Sequence, residues 1–322
     1  MNSISTKMKD RNIAIDILKI FAVFLVLNSH MGKCYESYSF LATGGAIGDA
    51  LFFFASGFTL FLGRNMRFDN WYKRRISRIY PTILAVGILT AIIWNSTDSF
   101  WTVITAQKYW FLSCILVYYI ILYPIKIYVS SLKILFGILC LCIVAIYYLF
   151  FDYTDKGIFY GYNDFRLFFY FLFMLQGAIM GKNQSLYAFK KRHIIMLCIC
   201  IFTWYLSLYY LNNKSAQIVS AIPLLGITYY TYLVSCGSWF AKLYNRKFLG
   251  NILFIIGNLC LEIYMIQFYL ITDKLNMLFP LNIPIIMLVI IVIAYLVKCL
   301  SEFIFQTFNA EPYNWKGMLL KK

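Results

Sequence analysis

Three ionisable side chains share one side of the first hydrophobic stretch, DILKIFAVFLVLNSH at residues 16–30. Asp16 lies three residues before Lys19, and the eleven residues from Lys19 to His30 turn a helix through roughly 1100°, about 20° from a whole number of turns. The axial rise from Lys19 to His30 is then roughly 16 Å. An imidazole takes up and releases protons near neutral pH, so the pattern places an acid–base group at one end of a polar stripe.

A simpler interpretation makes this stripe structural. Asp16 and Lys19 can neutralise each other as an i, i+3 pair, and His30 can be an interfacial residue without a task. Ionisable groups inside a bilayer cost a few kcal/mol each, however, and normally face the bundle interior, a partner or water. The common side of all three residues therefore favours a lined cavity over an isolated pair.

The composition is that of a membrane protein. Of the 322 residues, 62% are hydrophobic and 13% are charged, against about 25% charged in soluble domains, and the mean hydropathy is +0.72. Apolar runs near the ~20 residues that cross a bilayer recur along the chain. We therefore expect an all-α, polytopic membrane bundle. The nine cysteines show neither metal spacing nor a disulfide framework, so no metal is expected.

About ten membrane-spanning helices are predicted, at residues 13–30, 46–63, 79–96, 109–125, 134–151, 165–181, 193–211, 216–240, 251–272 and 283–305. With the N-terminus inside, 21 Lys and Arg residues fall on the inner side, 5 on the outer side and 3 within spans. This bias predicts that both termini are cytoplasmic, and it explains the net charge of +16 without nucleic acid. The longest inner loop covers about residues 64–78, so residues 1–322 are expected to form a single membrane domain, with no separate soluble domain.

The second and third spans add further candidates. In GGAIGDALFFFASGFTLFLG, Gly44, Gly45, Gly48 and Gly57 permit close helix packing, and Ser56 adds a hydroxyl group to the same span. Arg75 and Arg78 begin the third span. They are either anchors at the cytoplasmic surface or an anion site for a phosphorylated ligand, since guanidinium forks bind phosphate well.

Ionisable residues also lie in later apolar spans, and among them Lys298 and Glu302 are expected to form a structural i, i+4 pair near the cytoplasmic end of the last span. Arg166 is near the outer end of the sixth span, where its side chain can snorkel to the interface. Glu262 lies well inside the ninth span, where it is either a site residue or the partner of a basic residue such as Lys19 or Arg166.

Several of these elements, in this order, resemble the integral-membrane acyltransferase family three, bacterial proteins that mostly acylate cell-surface glycans. The family's first helix carries Arg or Lys, ten further residues and then His, as Lys19 and His30 do here. Its Ser-Gly-Phe element and its Arg-x-x-Arg before Tyr-Pro are matched by FFFASGF, with Ser56, and by RRISRIYP, with Arg75 and Arg78. Three further stretches resemble the family's later helices: YWFLSCILVYYIILYP, FRLFFYFLFMLQGAIMGK and IGNLCLEIYMIQ. The pattern differs at Cys260, where Ser is common, and at Gln267, where His is common.

The resemblance implies an O-acyltransferase of the bacterial cytoplasmic (inner) membrane that uses acetyl-CoA, or another acyl-CoA, and a glycan hydroxyl. Under it, Arg75 and Arg78 hold the CoA phosphates, while Lys19 lines the route of the acyl-bearing arm. Asp16 keeps Lys19 charged, and Ser56 donates a hydrogen bond to the acyl oxygen. His30 acts as general base or as transient acyl carrier. The remaining candidates for substrate binding are Arg166, Glu262 and Trp110.

A carrier without chemistry is the competing hypothesis. A lipid-linked sugar flippase or a small-solute transporter shows the same hydropathy, charge bias and intramembrane charges. It does not predict Lys19 and His30 followed in order by Ser56-Gly57 and the two arginines. Acyl transfer is therefore the preferred hypothesis from the sequence.

Overall fold

The computed structural model describes residues 12–63, 65–95, 101–102, 105–106, 108–152, 157–159, 164–212, 214–308, 312–315 and 317–320. These residues form helices and turns, without any strand among them, which confirms the all-α prediction. Part of the basic bias lies outside the described residues, namely Lys7, Lys9, Arg11, Arg64, Lys156, Lys316, Lys321 and Lys322.

Thirteen α-helices are present in the described chain. They are α1 (Ile13–His30), α2 (Gly45–Leu62), α3 (Phe68–Trp94), α4 (Trp110–Tyr128), α5 (Leu132–Phe150), α6 (Phe165–Phe169), α7 (Phe171–Lys182), α8 (Arg192–Leu211), α9 (Ala221–Ser235), α10 (Ser238–Tyr244), α11 (Lys247–Asn258), α12 (Cys260–Leu270) and α13 (Asn282–Thr307). Short 3₁₀ turns lie at Gly32–Cys34, Glu36–Leu41, Gln184–Leu186, Ser215–Ser220 and Asn276–Leu278.

Eight helical segments of the described chain are long and apolar enough to cross a membrane, and the bent pair α11 and α12 makes a ninth. This is the architecture of a multi-pass membrane protein. The sixth predicted span, at 165–181, instead consists of two shorter helices, α6 and α7, which meet at Tyr170. Neither of them is long enough to cross a bilayer alone.

The ninth predicted span, at 251–272, is not straight. Its two halves, α11 and α12, meet at Leu259 with a bend of 73°. The Asn258 side chain donates from Nδ2 to the Phe254 carbonyl at 2.6 Å, and Gly257 precedes it. A side chain that binds a carbonyl of the helix competes with the backbone ladder, and a glycine beside it lowers the cost of leaving the helix.

Two helices lie at the periphery of the bundle. Of α5 only Leu132, Ile143 and Tyr147 are buried, and of α8 only His193 and Trp204. Their exposed faces are almost wholly apolar, so hydrocarbon is the surroundings that suits them. The helices α1, α2, α7 and α12 have most of their residues buried and form the centre of the bundle.

The described loops define two ends of the bundle. At the basic end, Asn12 before α1 donates to Gln184 after α7, and Lys126 of α4 donates to the Gly63 carbonyl after α2 at 2.6 Å. At the His30 end, Asn28 donates to the Leu41 and Thr43 carbonyls, and the Cys34 thiol lies 3.4 Å from the Thr272 carbonyl. Each loop contact therefore joins helix ends on the same side of the bundle.

Glycines fix the position of α2 between α1 and α7. A Cβ at Gly57 would collide with the Met174 carbonyl of α7, and a Cβ at Gly177 would collide with the Phe54 carbonyl of α2. On the other side, a Cβ at Gly48 would lie 2.7 Å from the Ala22 carbonyl of α1. These contacts are between backbones, so they cannot be relieved by a change of side-chain rotamer. Small residues let membrane helices approach in this way.

We expect Gly57→Ala and Gly177→Ala each to lower the melting temperature of the detergent-solubilised protein, because overpacking costs about 1–3 kcal/mol even where side chains can adjust. Gly137→Ala on α5 is the matched control, since a Cβ there would meet nothing within 4 Å. Thermal unfolding measured side by side tests this, and equal melting temperatures for Gly57→Ala and Gly137→Ala would contradict the packing described here.

Candidate active site

The acidic and basic residues at the start of α1 form an ion pair that is buried at Asp16 and partly exposed at Lys19. Asp16 is 4% exposed, and Lys19 Nζ lies 4.0 Å from Asp16 Oδ1. The Tyr244 hydroxyl of α10 donates to Asp16 Oδ2 at 3.3 Å. The expected i, i+3 pair is therefore present, and a tyrosine from a distant helix supports the carboxylate of Asp16.

The stripe of Asp16, Lys19 and His30 lies along the bent pair α11 and α12, with Asp16 beside Gly257 of α11. The Cys260 thiol lies 3.7 Å from the Lys19 carbonyl, and the Phe268 ring packs edge-on against the His30 imidazole, with centroids 4.7 Å apart. Helices α1 and α12 thus run in the same direction, with the start of α12 beside Lys19 and its last turns beside His30. The shared side that the helical spacing predicts corresponds to the side of α1 that packs on the bent pair α11 and α12.

His30 lies at the end of this interface and is exposed. Its imidazole contacts Phe268 and makes no hydrogen bond or ion pair with the residues that the structure describes. Both ring nitrogens can therefore approach a bound molecule. In chemical terms this is an available base held against an aromatic wall.

Aromatic side chains continue from Phe268 towards α3 and α4. Phe268 packs against Tyr109 with centroids 6.1 Å apart and against Tyr264 with centroids 6.0 Å apart. Tyr109 and Tyr269 also line a cavity of about 20 Å³ between α3 and α12, together with Thr90 and Lys108. A cavity of this size holds about one water molecule.

Ser56 lies far from His30. Gly48 of α2 contacts Ala22 and Val26 of α1, and the two helices run in opposite directions. Eight further residues, about 12 Å of rise, bring Ser56 level with the start of α1 near Asp16. If Ser56 donates a hydrogen bond to the acyl oxygen, as the family resemblance implies, that contact lies near the basic end.

The neighbours of Ser56 connect it to Arg75. The Tyr119 hydroxyl of α4 lies near both Ser56 and the Arg75 guanidinium. That guanidinium stacks over the Trp71 ring at 4.6 Å, and Trp71 Nε1 donates to the Tyr119 carbonyl at 3.3 Å. Arg75 is thus held by aromatic groups on the inner side of α3.

The other side of α3 borders a cleft. This basic cleft has a volume of about 490 Å³ and is lined by Asn65, Met66, Asn70, Lys73, Arg74, Ser77 and Phe305. Its α3 residues follow i, i+3, i+4, i+7 spacing, which places them on one face, and exposed Arg78 lies between that face and Arg75. This helical spacing could have identified Lys73 and Arg74 as cleft residues from the sequence. The sequence analysis selected only Arg75 and Arg78.

Arg166 does not snorkel to the interface as the sequence suggested. Its side chain is 13% exposed, and its guanidinium lies 3.7 Å from Asp49 Oδ2 and 3.8 Å above the Trp110 ring. Arg166 and Trp110 thus come together, as two candidate binding residues would. The guanidinium lies inside the bundle because it pairs with Asp49 on α2, and a buried carboxylate needs a compensating charge.

Glu262 has neither of the partners that the sequence suggested. It is 1% exposed, and its Oε1 lies 3.5 Å from Lys298 Nζ and accepts from the Thr82 hydroxyl at 3.0 Å. Lys298 also pairs with Glu302 at 3.0 Å, as their i, i+4 spacing predicts. This network joins α3, α12 and α13 and lies on the side of α12 away from α1.

Comparison with known proteins identifies the family. A family model described as an acyltransferase domain, acyltransferase 3, matches residues 12–299. The chain belongs to this acyltransferase family. No curated protein and no solved structure shows significant similarity to it. The match includes the α1 stripe, the arginines of α3 and all of α12.

Two positions of the acyltransferase depart from the usual family pattern. The Cys260 thiol contacts the Lys19 carbonyl, and the Gln267 side chain is 0% exposed. Among the residues that the structure describes, no group of three or more His, Cys, Asp or Glu side chains could hold a metal ion. The α1–α12 interface brings together an imidazole, a paired lysine and buried polar groups.

We expect Asp49→Ala to destabilise the acyltransferase strongly, by about 3–5 kcal/mol, because it leaves the Arg166 charge buried without its carboxylate. Asp69→Ala is the matched control, since Asp69 pairs with Arg67 at 3.1 Å on the surface, where such a pair contributes about 0–1 kcal/mol. Denaturant or thermal unfolding of both variants checks the difference. The double variant Asp49→Ala/Arg166→Met should recover part of the loss, and no recovery would argue against the pairing.

Proposed function

We propose that this acyltransferase moves an acyl group, with acetyl as the first candidate, from cytoplasmic acyl-CoA to a hydroxyl of a cell-surface or exported glycan or its precursor. The observation that carries the proposal is the position of His30. Its imidazole is available at one end of the α1–α12 interface, and the basic residues of α3 are gathered at the other end.

The orientation follows from charge. The excess of Lys and Arg in loops at the basic end is typical of cytoplasmic loops, and both chain termini lie on that side by the same rule. The His30 end would then face outward from a bacterial cytoplasmic membrane. This orientation suits a donor made in the cytoplasm and an acceptor modified at the outer side.

The donor fits the basic end. CoA carries phosphate groups, and arginine and lysine side chains bind phosphate by charge-assisted hydrogen bonds. Lys73 and Arg74 line the basic cleft, Arg78 lies beside them, and Arg75 points inward towards Tyr119 and Ser56. The nucleotide would bind from this side, and the acyl-bearing arm would enter between helices.

In the proposed reaction, His30 takes the proton of the acceptor hydroxyl as that oxygen attacks the thioester carbonyl carbon. The carbon–sulfur bond then breaks, and the proton passes from the imidazolium to the departing thiolate. The products are an ester and free CoA. Lys19, held by Asp16, would lie along the route of the arm.

We expect His30→Ala to lower transfer of label from acetyl-CoA to glycan in membrane vesicles by about 10²-fold or more, the usual contribution of a general base. The chain has only one other histidine, so His193→Ala is a matched control. His193 lies at the basic end, where its Nδ1 accepts from the Lys190 N–H at 3.1 Å. Label that appears equally with both variants would remove His30 from the mechanism, and no label with any acyl-CoA would contradict the function itself.

We expect Arg75→Ala and Arg78→Ala each to raise KM for acyl-CoA by about tenfold or more, because a hydrogen bond to a charged group contributes about 1.5–3 kcal/mol. Arg67→Ala at the same end should leave KM unchanged, since Arg67 pairs on the surface with Asp69. Initial rates at varied donor concentration separate the cases. A rise in KM with Arg67→Ala as large as that with Arg75→Ala would reduce the effect to general surface charge.

A further inference from the structure

Gln267 is a buried polar side chain to which the described fold gives no hydrogen bond. It is 0% exposed, yet neither its Nε2 nor its Oε1 has a hydrogen-bond partner among the residues that the structure describes. Because both ends of the amide lack a partner, exchanging the oxygen and nitrogen by a flip does not help. The side chain therefore presents one free donor group and one free acceptor together.

The position of Gln267 follows from the two contacts that bracket it. Cys260 touches the Lys19 carbonyl, and Gln267 lies seven residues later, which places it on the same face of α12 about 10 Å farther along. The next residue, Phe268, packs on His30. Gln267 thus lies on the face that meets α1, between the levels of Lys19 and His30 and close to His30.

The α1 side chains at this level offer nothing to an amide. Val23 and Val26 are the residues of the Lys19–His30 side that lie between the two, and both are buried and apolar. Glu262, five residues before Gln267, points to the opposite side of α12, towards Thr82 and Lys298. An amide buried among apolar neighbours destabilises the fold, whereas an apolar residue of the same size would not.

We propose that Gln267 is a positioning residue that pairs with an amide of the donor's pantetheine arm. This inference rests on the proposed acyl-CoA donor. A secondary amide offers one C=O acceptor and one N–H donor, so it satisfies both free groups of Gln267 in a two-bond pair. The pair holds the arm between α1 and α12 and directs its thioester towards His30.

The test compares two probes on the solubilised full chain: CoA, and adenosine 3′,5′-bisphosphate, which has the nucleotide but no arm. With Gln267→Leu we expect the Kd of CoA to rise about tenfold or more, while the Kd of adenosine 3′,5′-bisphosphate stays within about twofold. The melting temperature without ligand should stay equal or rise. Met265→Leu is the matched control, because Met265 is fully buried on another face of the same helix.

Each other outcome overturns the proposal. An unchanged Kd of CoA means that the amide does not touch the donor, and equal weakening of both probes means that the change does not act through the arm. If Gln267→Leu does not fold, Gln267→Met replaces it, and failure of both shows a structural role. If the native chain binds neither probe and transfers no acyl group, the proposed function fails first, which is a distinct result.

Discussion

Backbone contact between α2 and its two neighbours is the constraint on which the rest of the bundle depends. Lipid hydrocarbon is as apolar as leucine, so helices in a bilayer gain little from burying apolar area against each other and must gain from close packing. Gly57 and Gly177 bring α2 and α7 to backbone contact, and Gly48 does the same towards α1. With α1 fixed by α2 on one side, its polar stripe lies along the bent pair α11 and α12.

Two buried ion pairs join neighbouring helices of the bundle. Asp49 pairs with Arg166 across α2 and α6, and Glu262 pairs with Lys298 across α12 and α13. Such pairs add little net stability, yet breaking one is costly, so they fix which helices are neighbours. Among the residues that the structure describes, His30 has no polar partner, the Gln267 amide has no hydrogen-bond partner, and the basic residues of α3 line an open cleft.

Helical periodicity predicted the part of the site that lies within single helices. The side shared by Lys19 and His30 and the pair of Lys298 with Glu302 both follow from rotation of about 100° per residue. Partners on different helices were beyond this argument, because periodicity says where a side chain points and not which helix it meets. Lys298 for Glu262, Asp49 for Arg166 and Tyr244 for Asp16 therefore emerged only from the structure. The bend at Leu259 was also missed, because the stretch is apolar enough overall to predict one straight span and the Gly257-Asn258 pair before the bend was not used as a signal.

The basic cleft and the cavity near His30 differ greatly in size, and this difference limits how acyl-CoA could bind so that its thioester reaches His30. The basic cleft measures about 490 Å³, whereas the cavity beside Tyr109 and Tyr269 measures about 20 Å³. A nucleotide fits the first and not the second, so under the proposed function it stays at the basic end and only a thin chain extends inward. A flexible chain loses conformational freedom when it is held in one extended shape, and hydrogen bonds along its route must offset that loss. A polar group buried between the two ends, of the kind that Gln267 supplies, is what such a route needs, and an unbroken apolar interface between α1 and α12 would not provide it.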